Sequence, residues 1–165
     1  MIRGISLFVA GTALGLAIHA AIAQDSSLSP NHGVVGLNHV GIAVPDLNKA
    51  VEYYTKTMGY PEAFRQMDAQ GNVALVYVQI SKGTFIELQP VNAQRPAGIS
   101  HFGVVVEKMN DATAMFKNRG APVGPINVSG TKAVLSNVAD PFGNRTELVE
   151  ITPDSLHRKA MDRWK

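Results

Sequence analysis

Two histidines and two glutamates carry the possible chemistry. His39 lies in GLNHVGIAV and His101 in GISHFGVVV, alternating apolar runs that match almost position for position. Glu87 lies in FIELQ and Glu147 in RTELVE, which close the stretches those histidines open. Each half of the chain therefore supplies one imidazole and one carboxylate. Taken singly, a strand histidine is more often a packed or solvated residue than a ligand, and it is the repetition that singles these four out. Two imidazoles and two carboxylates suit one divalent ion of intermediate hardness: Zn, Ni, Co, Mn or Fe(II). Four protein donors (His39, Glu87, His101 and Glu147) leave two positions of a six-coordinate ion open for water or substrate, as catalysis at a metal requires.

The elements must aim these side chains at one point. Side chains alternate along a strand, so Phe85, Glu87 and Gln89 share one face while Thr84, Ile86 and Leu88 share the other. Arg145, Glu147 and Val149 likewise oppose Thr146, Leu148 and Glu150. With Ile86, Leu88 and Leu148 on a helix-covered core, both carboxylates face a concave side, where an ionised group is costly unless paired or metal-bound. The first unit reads as a strand over Gly36 to Val44, a helix with Asp46 as N-cap and Gly59 as terminator, and strands around 63–68, 73–80 and 84–89. The order then repeats: a strand over 99–106, a helix over 111–119 closed by Gly120, and strands around 123–128, 132–138 and 145–151. The expected fold class is α+β, two tandem βαβββ modules over 36–90 and 98–152 in one domain, followed by a short C-terminal helix within 153–165. Tyr53 and Tyr54 read as packing residues, and His157 as an exposed helix residue.

Composition bounds the setting. Arg3 precedes an uncharged run ending in Ala21 to Ala23, with polar QDSS next. This is the pattern of a secretory signal cleaved after Ala23, and it predicts an exported protein, periplasmic or secreted, with no stable membrane anchor once cleaved. Residues 24–35 read as a flexible lead-in. The 15 basic and 13 acidic residues nearly balance, which gives no electrostatic case for nucleic acid. There is no cysteine, so neither disulfides nor thiolate ligands are available.

The paired modules, the opening strand LNHVGIAV with PDLNKAVEYYTKTMGY after it, and the closing DPFGNRTELVE resemble the vicinal oxygen chelate superfamily, the glyoxalase/bleomycin-resistance/extradiol dioxygenase fold. The resemblance spans Gly36 to about Thr152. The segment GTKAVLSNVADPFGNRTELVE is most similar to the second module of lactoylglutathione lyases. It implies metal ligands on the first and last strands of each module, hence His39, Glu87, His101 and Glu147. An acid at the Glu87 position favours the lyase and isomerase branch.

The resemblance further implies a metal-dependent lyase or isomerase acting on a small vicinal-oxygen substrate through a chelated enediolate. Glu147, or else Glu87, would serve as ligand and general base in turn. Export argues against glutathione and acyl-CoA substrates. An extradiol-type dioxygenase using His39, His101 and Glu147, and a non-catalytic binding or resistance protein, are the alternatives. Phe85, Gln89, Arg65 and Lys132 are candidate substrate contacts, with Arg145, Phe102 and Phe142 beside them. Modules of this fold pair within a chain or exchange between chains, and the short link Pro90 to Gly98 suggests a homodimer with sites at the interface.

Overall fold

The computed structural model describes residues 33–165; the proposed signal segment and nearly all of the lead-in lie outside them. Eight strands form one sheet in the order β2-β3-β4-β1-β5-β8-β7-β6. They are β1 (Val34–Val44), β2 (Glu62–Met67), β3 (Val73–Ser81), β4 (Thr84–Pro90), β5 (Gly98–Val106), β6 (Asn127–Val128), β7 (Val134–Ala139) and β8 (Arg145–Glu150). The order is a palindrome of modules. Each module's first strand pairs parallel with its last, β1 with β4 and β5 with β8, while β1 and β5 join the halves antiparallel. Strand β1 starts two residues earlier than its alternation predicts, so the lead-in ends at Gly33.

Helix α1 (Leu47–Glu52) starts where expected, with the Asp46 carboxylate accepting the Lys49 N–H at 3.0 Å. Its continuation Tyr53–Thr57 widens into a π-helical turn, with the Met58 N–H reaching the Tyr53 carbonyl. Thr55 Oγ1 donates to the Val51 carbonyl at 2.7 Å, drawing that acceptor away from the regular ladder. Tyr53 is 52 % exposed, so it is not the packing residue its spacing suggests.

Helix α2 (Met109–Asn118) begins two residues before the predicted start. Lys108 makes no side-chain cap; instead Glu150, for which the sequence shows no partner, accepts the Met109 N–H at 2.6 Å. Val106, Met109, Ala112, Val138 and Leu148 form a buried cluster that joins α2 to the face of β8 opposite Glu147. Helix α3 (Leu156–Arg163), capped by Ser155, closes the other side of the sheet at β2–β4, where Ala160 packs with Tyr77 and Phe85. Among the described residues no helix is long and apolar enough to cross a membrane.

Candidate metal centre

The site is written in the strand register. His39 stands opposite Gly103, and Gly41 opposite His101, across the central β1–β5 pair. On their other sides Gly41 faces Glu87 and Gly103 faces Glu147. Two rows therefore cross the sheet, Glu87–Gly41–His101 and Glu147–Gly103–His39, each joining one module's carboxylate to the other module's imidazole. A glycine is required at the middle of each row, since a methyl group at Gly103 would overlap the His39 ring and one at Gly41 would overlap the His101 ring. The repeated His-x-Gly of the sequence is this reciprocal seat. Within this one chain all four side chains come together at the β1–β5 seam.

Bulges aim the rings. The β1–β5 register slips between Leu37 and His39, and again between Gly41 and Ile42, leaving Asn38 and Ser100 as the extra residues. Each bulged residue holds the histidine after it. Asn38 Oδ1 meets His39 Nδ1 at 2.8 Å, and Ser100 Oγ meets His101 Nδ1 at 2.9 Å while donating to the Gly41 carbonyl at 3.2 Å. With those acceptors Nδ1 carries the proton in both rings, and both Nε2 atoms present lone pairs.

Those lone pairs face each other, His39 Nε2 to His101 Nε2 at 3.0 Å, an arrangement neither ring can satisfy by hydrogen bonding to the other. Glu87 Oε2 lies 3.4 Å from His39 Nε2 and 3.0 Å from His101 Nε2 and has no hydrogen-bond partner. For donors about 2.1 Å from a common ion, neighbouring donors stand about 3.0 Å apart in an octahedron and about 3.4 Å in a tetrahedron. The three measured edges fall at these values. His39, Glu87 and His101, all buried, are thus positioned to chelate a single divalent metal ion.

Glu147 stands apart from that triad. Its Oε2 is 3.6 Å from His39 Nε2, and its other oxygen accepts from Arg145 Nη1 at 3.1 Å. The two carboxylates also differ in acidity. Burial opposes ionisation of Glu87 most strongly, but His101, His39 and Gln89 outweigh it and hold this carboxyl below its usual range. Burial, and next the charge of Glu87, push Glu147 up. Burial lowers His39 to about 3, so it is neutral and ready as a donor at ordinary pH.

A cleft of about 270 Å³ opens beside the triad, lined by Gln89, Glu87, Glu147, Arg145 and Tyr77 among others. Gln89 is where the sequence places it, its amide donating to Glu87 Oε1. The other three expected contacts lie elsewhere. Phe85 shares the face of Glu87 but is fully buried under α3, against Phe64, Tyr77 and Ala160. Arg65 is exposed and paired with Glu62 at 2.5 Å. Lys132 is exposed at a turn with φ 64°, while its neighbours Ser129 and Thr131 line the cleft in its place. Phe142 is 90 % exposed at a turn tip, and Phe102 lies half-exposed on the strand face opposite His101.

Two cleft residues escape the sequence pattern. Arg95 enters from the inter-module link, where no periodicity marks a direction. His157, expected to be exposed, is buried at 2 %, edge-on to Phe64, Tyr77 and Phe85, and burial lowers its pKa to about 4. The spacing of His157, Ala160 and Met161 on α3 is the signal that marks its inward face.

The reciprocal glycine seat gives a direct test. Gly103→Ala is expected to displace His39 and weaken Co(II) binding by about 10- to 100-fold or more, the range for losing support of a ligand, with the far-UV circular dichroism unchanged. Gly124→Ala, where an added methyl meets only ordinary contacts at 3.7 Å, should leave the affinity as it was. Equal Co(II) affinity in Gly103→Ala and the unaltered chain would refute the seat.

The fold and site together define a paired-module chelating protein, a βαβββ repeat with a His/Glu/His metal triad at its pseudo-symmetric centre. Residues 38–133 match the Glyoxalase/Bleomycin resistance protein/Dioxygenase superfamily, and the chain belongs to that family. A probable chloroplastic lactoylglutathione lyase of Arabidopsis thaliana is 25% identical over 130 residues, 70% of this chain and 35% of that protein. The chain thus spans about a third of that relative's length. Among solved structures, methylmalonyl-CoA epimerase from Mycobacterium tuberculosis superposes with a TM-score of 0.65 at 21% identity, covering 73% of this chain and 91% of the other. A Streptomyces coelicolor methylmalonyl-CoA epimerase variant in complex with 2-nitronate-propionyl-CoA gives 0.64 at 20% identity, covering 74% and 98%. In structure the likeness runs to these epimerases, whereas the sequence motifs resemble lactoylglutathione lyases. At such identities it speaks for the fold alone.

Proposed function

We propose that this protein is a metal-dependent isomerase or lyase that moves a proton between adjacent carbons of a small substrate with vicinal oxygens. The observation that carries this reading is the placing of Glu147: its Oε2 lies 3.6 Å from His39 Nε2, beside the His39–Glu87–His101 triad yet outside it, and Arg145 holds its other oxygen at 3.1 Å. A carboxylate within reach of a metal site but not among its three tightest donors is placed to exchange a proton with a bound substrate. A bound divalent ion would supply Lewis acidity, stabilising negative charge on an oxygen next to the carbon that loses its proton.

The chain's own residues do the rest. His39, His101 and Glu87 would hold the ion, with Asn38 and Ser100 fixing the ring orientations. Glu147, the fourth ligand by family resemblance, takes the proton and returns it, and Arg145 keeps the carboxylate aimed into the cleft. Gln89 orients Glu87. The basic-then-apolar segment before Gln24 supports an exported protein.

The dioxygenase alternative gains one observation, a histidine beside the cleft that the sequence pattern does not reveal. Both nitrogens of His157, however, are buried without a partner inside an aromatic enclosure, so they are not presented to a catechol. A triad with donor edges of coordination length favours metal-dependent chemistry over a metal-free binding cleft. The experiment is solvent exchange: metal-loaded protein in D2O with 2-hydroxy ketones and 2-oxo acids, followed by proton NMR. Deuterium at the carbon next to the carbonyl is the expected result. Oxygen uptake with catechols and no exchange would overturn it.

A further inference from the structure

The cleft contains two guanidiniums, Arg145, engaged with Glu147, and Arg95, which has no carboxylate partner among the described residues. Arg145 precedes Glu147 by two residues on the same face of β8 and shares Nη1 between Asn137 Oδ1 at 2.9 Å and Glu147 Oε1 at 3.1 Å. Arg95 donates both Nε and Nη2 to the Pro90 carbonyl, at 3.2 and 3.0 Å. That double contact fixes the guanidinium plane and leaves Nη1 with no protein acceptor among the described residues. No carboxylate among them pairs with Arg95.

Charge then selects the ligand. Glu87 in the triad and Glu147 beside it together match the charge of a divalent ion, and both imidazoles are neutral when they serve as donors. Arg95 and Arg145 remain as excess positive charge within one cleft of about 270 Å³. The other polar groups on its wall, Gln66, Gln89, Ser129 and Thr131, are neutral. A neutral substrate would leave the Arg95 guanidinium half-buried and unpaired, whereas a carboxylate matches its planar fork.

We propose that the substrate is anionic: beyond its vicinal oxygens it carries a second carboxylate that binds Arg95 with Arg145 beside it, and Arg95 is the residue that selects it. The substrate class is then a short-chain acid with a chelating oxygen pair at one end and a carboxylate at the other. This rests on the chelation reading above.

The test uses the full chain loaded with Co(II), whose visible spectrum reports ligation, and titrates it with pyruvate, 2-oxoglutarate and 2-oxoadipate by calorimetry and absorbance. All three share the chelating group, and only the last two carry the second carboxylate. At least one of these two is expected to bind about tenfold or more tightly than pyruvate, the effect of one charge-assisted contact. In Arg95→Gln that advantage should fall below about threefold while the Co(II) spectrum of the pyruvate complex keeps its form. Equal binding of all three acids, or an advantage that survives Arg95→Gln, overturns the proposal while chelation stands. A Co(II) spectrum that no acid perturbs overturns the chelation reading, and the substrate class with it.

Discussion

His39→Ala is expected to bind its metal at least about a hundredfold more weakly than the unaltered chain. His39 Nε2 is a vertex of each of two triad edges, to His101 and to Glu87, and Glu147 also approaches the triad through it. Spreading the roughly 10–16 kcal/mol of a four-ligand zinc site over its donors gives about 3 kcal/mol each. Removing one donor should therefore weaken binding about a hundredfold, and more here, because Glu147 loses its nearest donor neighbour. After dialysis against a chelator of intermediate affinity, mass spectrometry should find close to one divalent ion per molecule in the unaltered chain and far less in the variant. A metal that binds only the folded state raises stability by about 2.7 kcal/mol at a hundredfold excess over its dissociation constant. For a domain of this size that is a rise in Tm of several degrees, present in the unaltered chain and absent in His39→Ala. Full metal content in the variant would mean that the triad is not the binding site.

The sequence made the four donors legible because their information is redundant. Alternation gives the face, the repeat gives the partner, and the palindromic strand order turns sequence equivalence into convergence. Helix α1 and most strands of both modules were legible for the same reason, but the strand expected around 123–128 shrinks to Asn127–Val128 with an isolated bridge at Val123, where the apolar spacing carries no continuous ladder. What escaped depended on register. Asn38 and Ser100 become partners of the histidine rings only through bulges at which strict alternation fails, and no pattern of period two announces its own interruption.

A second kind of miss came from what covers a face. Phe85 does share the concave face with Glu87, as its spacing requires, yet α3 lies over that end of the sheet and converts a would-be pocket wall into core. The same packing buries His157, whose single helical turn of apolar neighbours is a weak signal against the charged residues around it. Arg95 and Arg65 show the limit from the other side. Equal as charges in the sequence, they part in the fold because Glu62 stands three residues before Arg65, whereas Arg95 finds only the Pro90 carbonyl.

Glu147→Gln should separate binding from chemistry. Gln keeps the size of the side chain and an oxygen for Arg145 but cannot take up a proton. The triad of His39, Glu87 and His101 is untouched, so the variant is expected to retain metal close to one ion per molecule. Solvent exchange at the substrate carbon should nevertheless fall by about 10²–10⁴, the contribution of a positioned general base. The pH dependence has a definite sign. A general base accepts a proton only when ionised, so the exchange rate should climb with pH as the Glu147 carboxyl loses its proton, and Glu147→Gln should lose the climb along with the rate. Glu87→Gln should behave oppositely. Its Oε2 is a triad donor 3.0 Å from His101 Nε2, so its loss is read first as released metal. If both variants keep metal and exchange, proton transfer belongs to neither carboxylate. If Glu147→Gln loses metal as completely as His39→Ala, Glu147 is a full ligand at rest and must leave the ion before it can accept a proton.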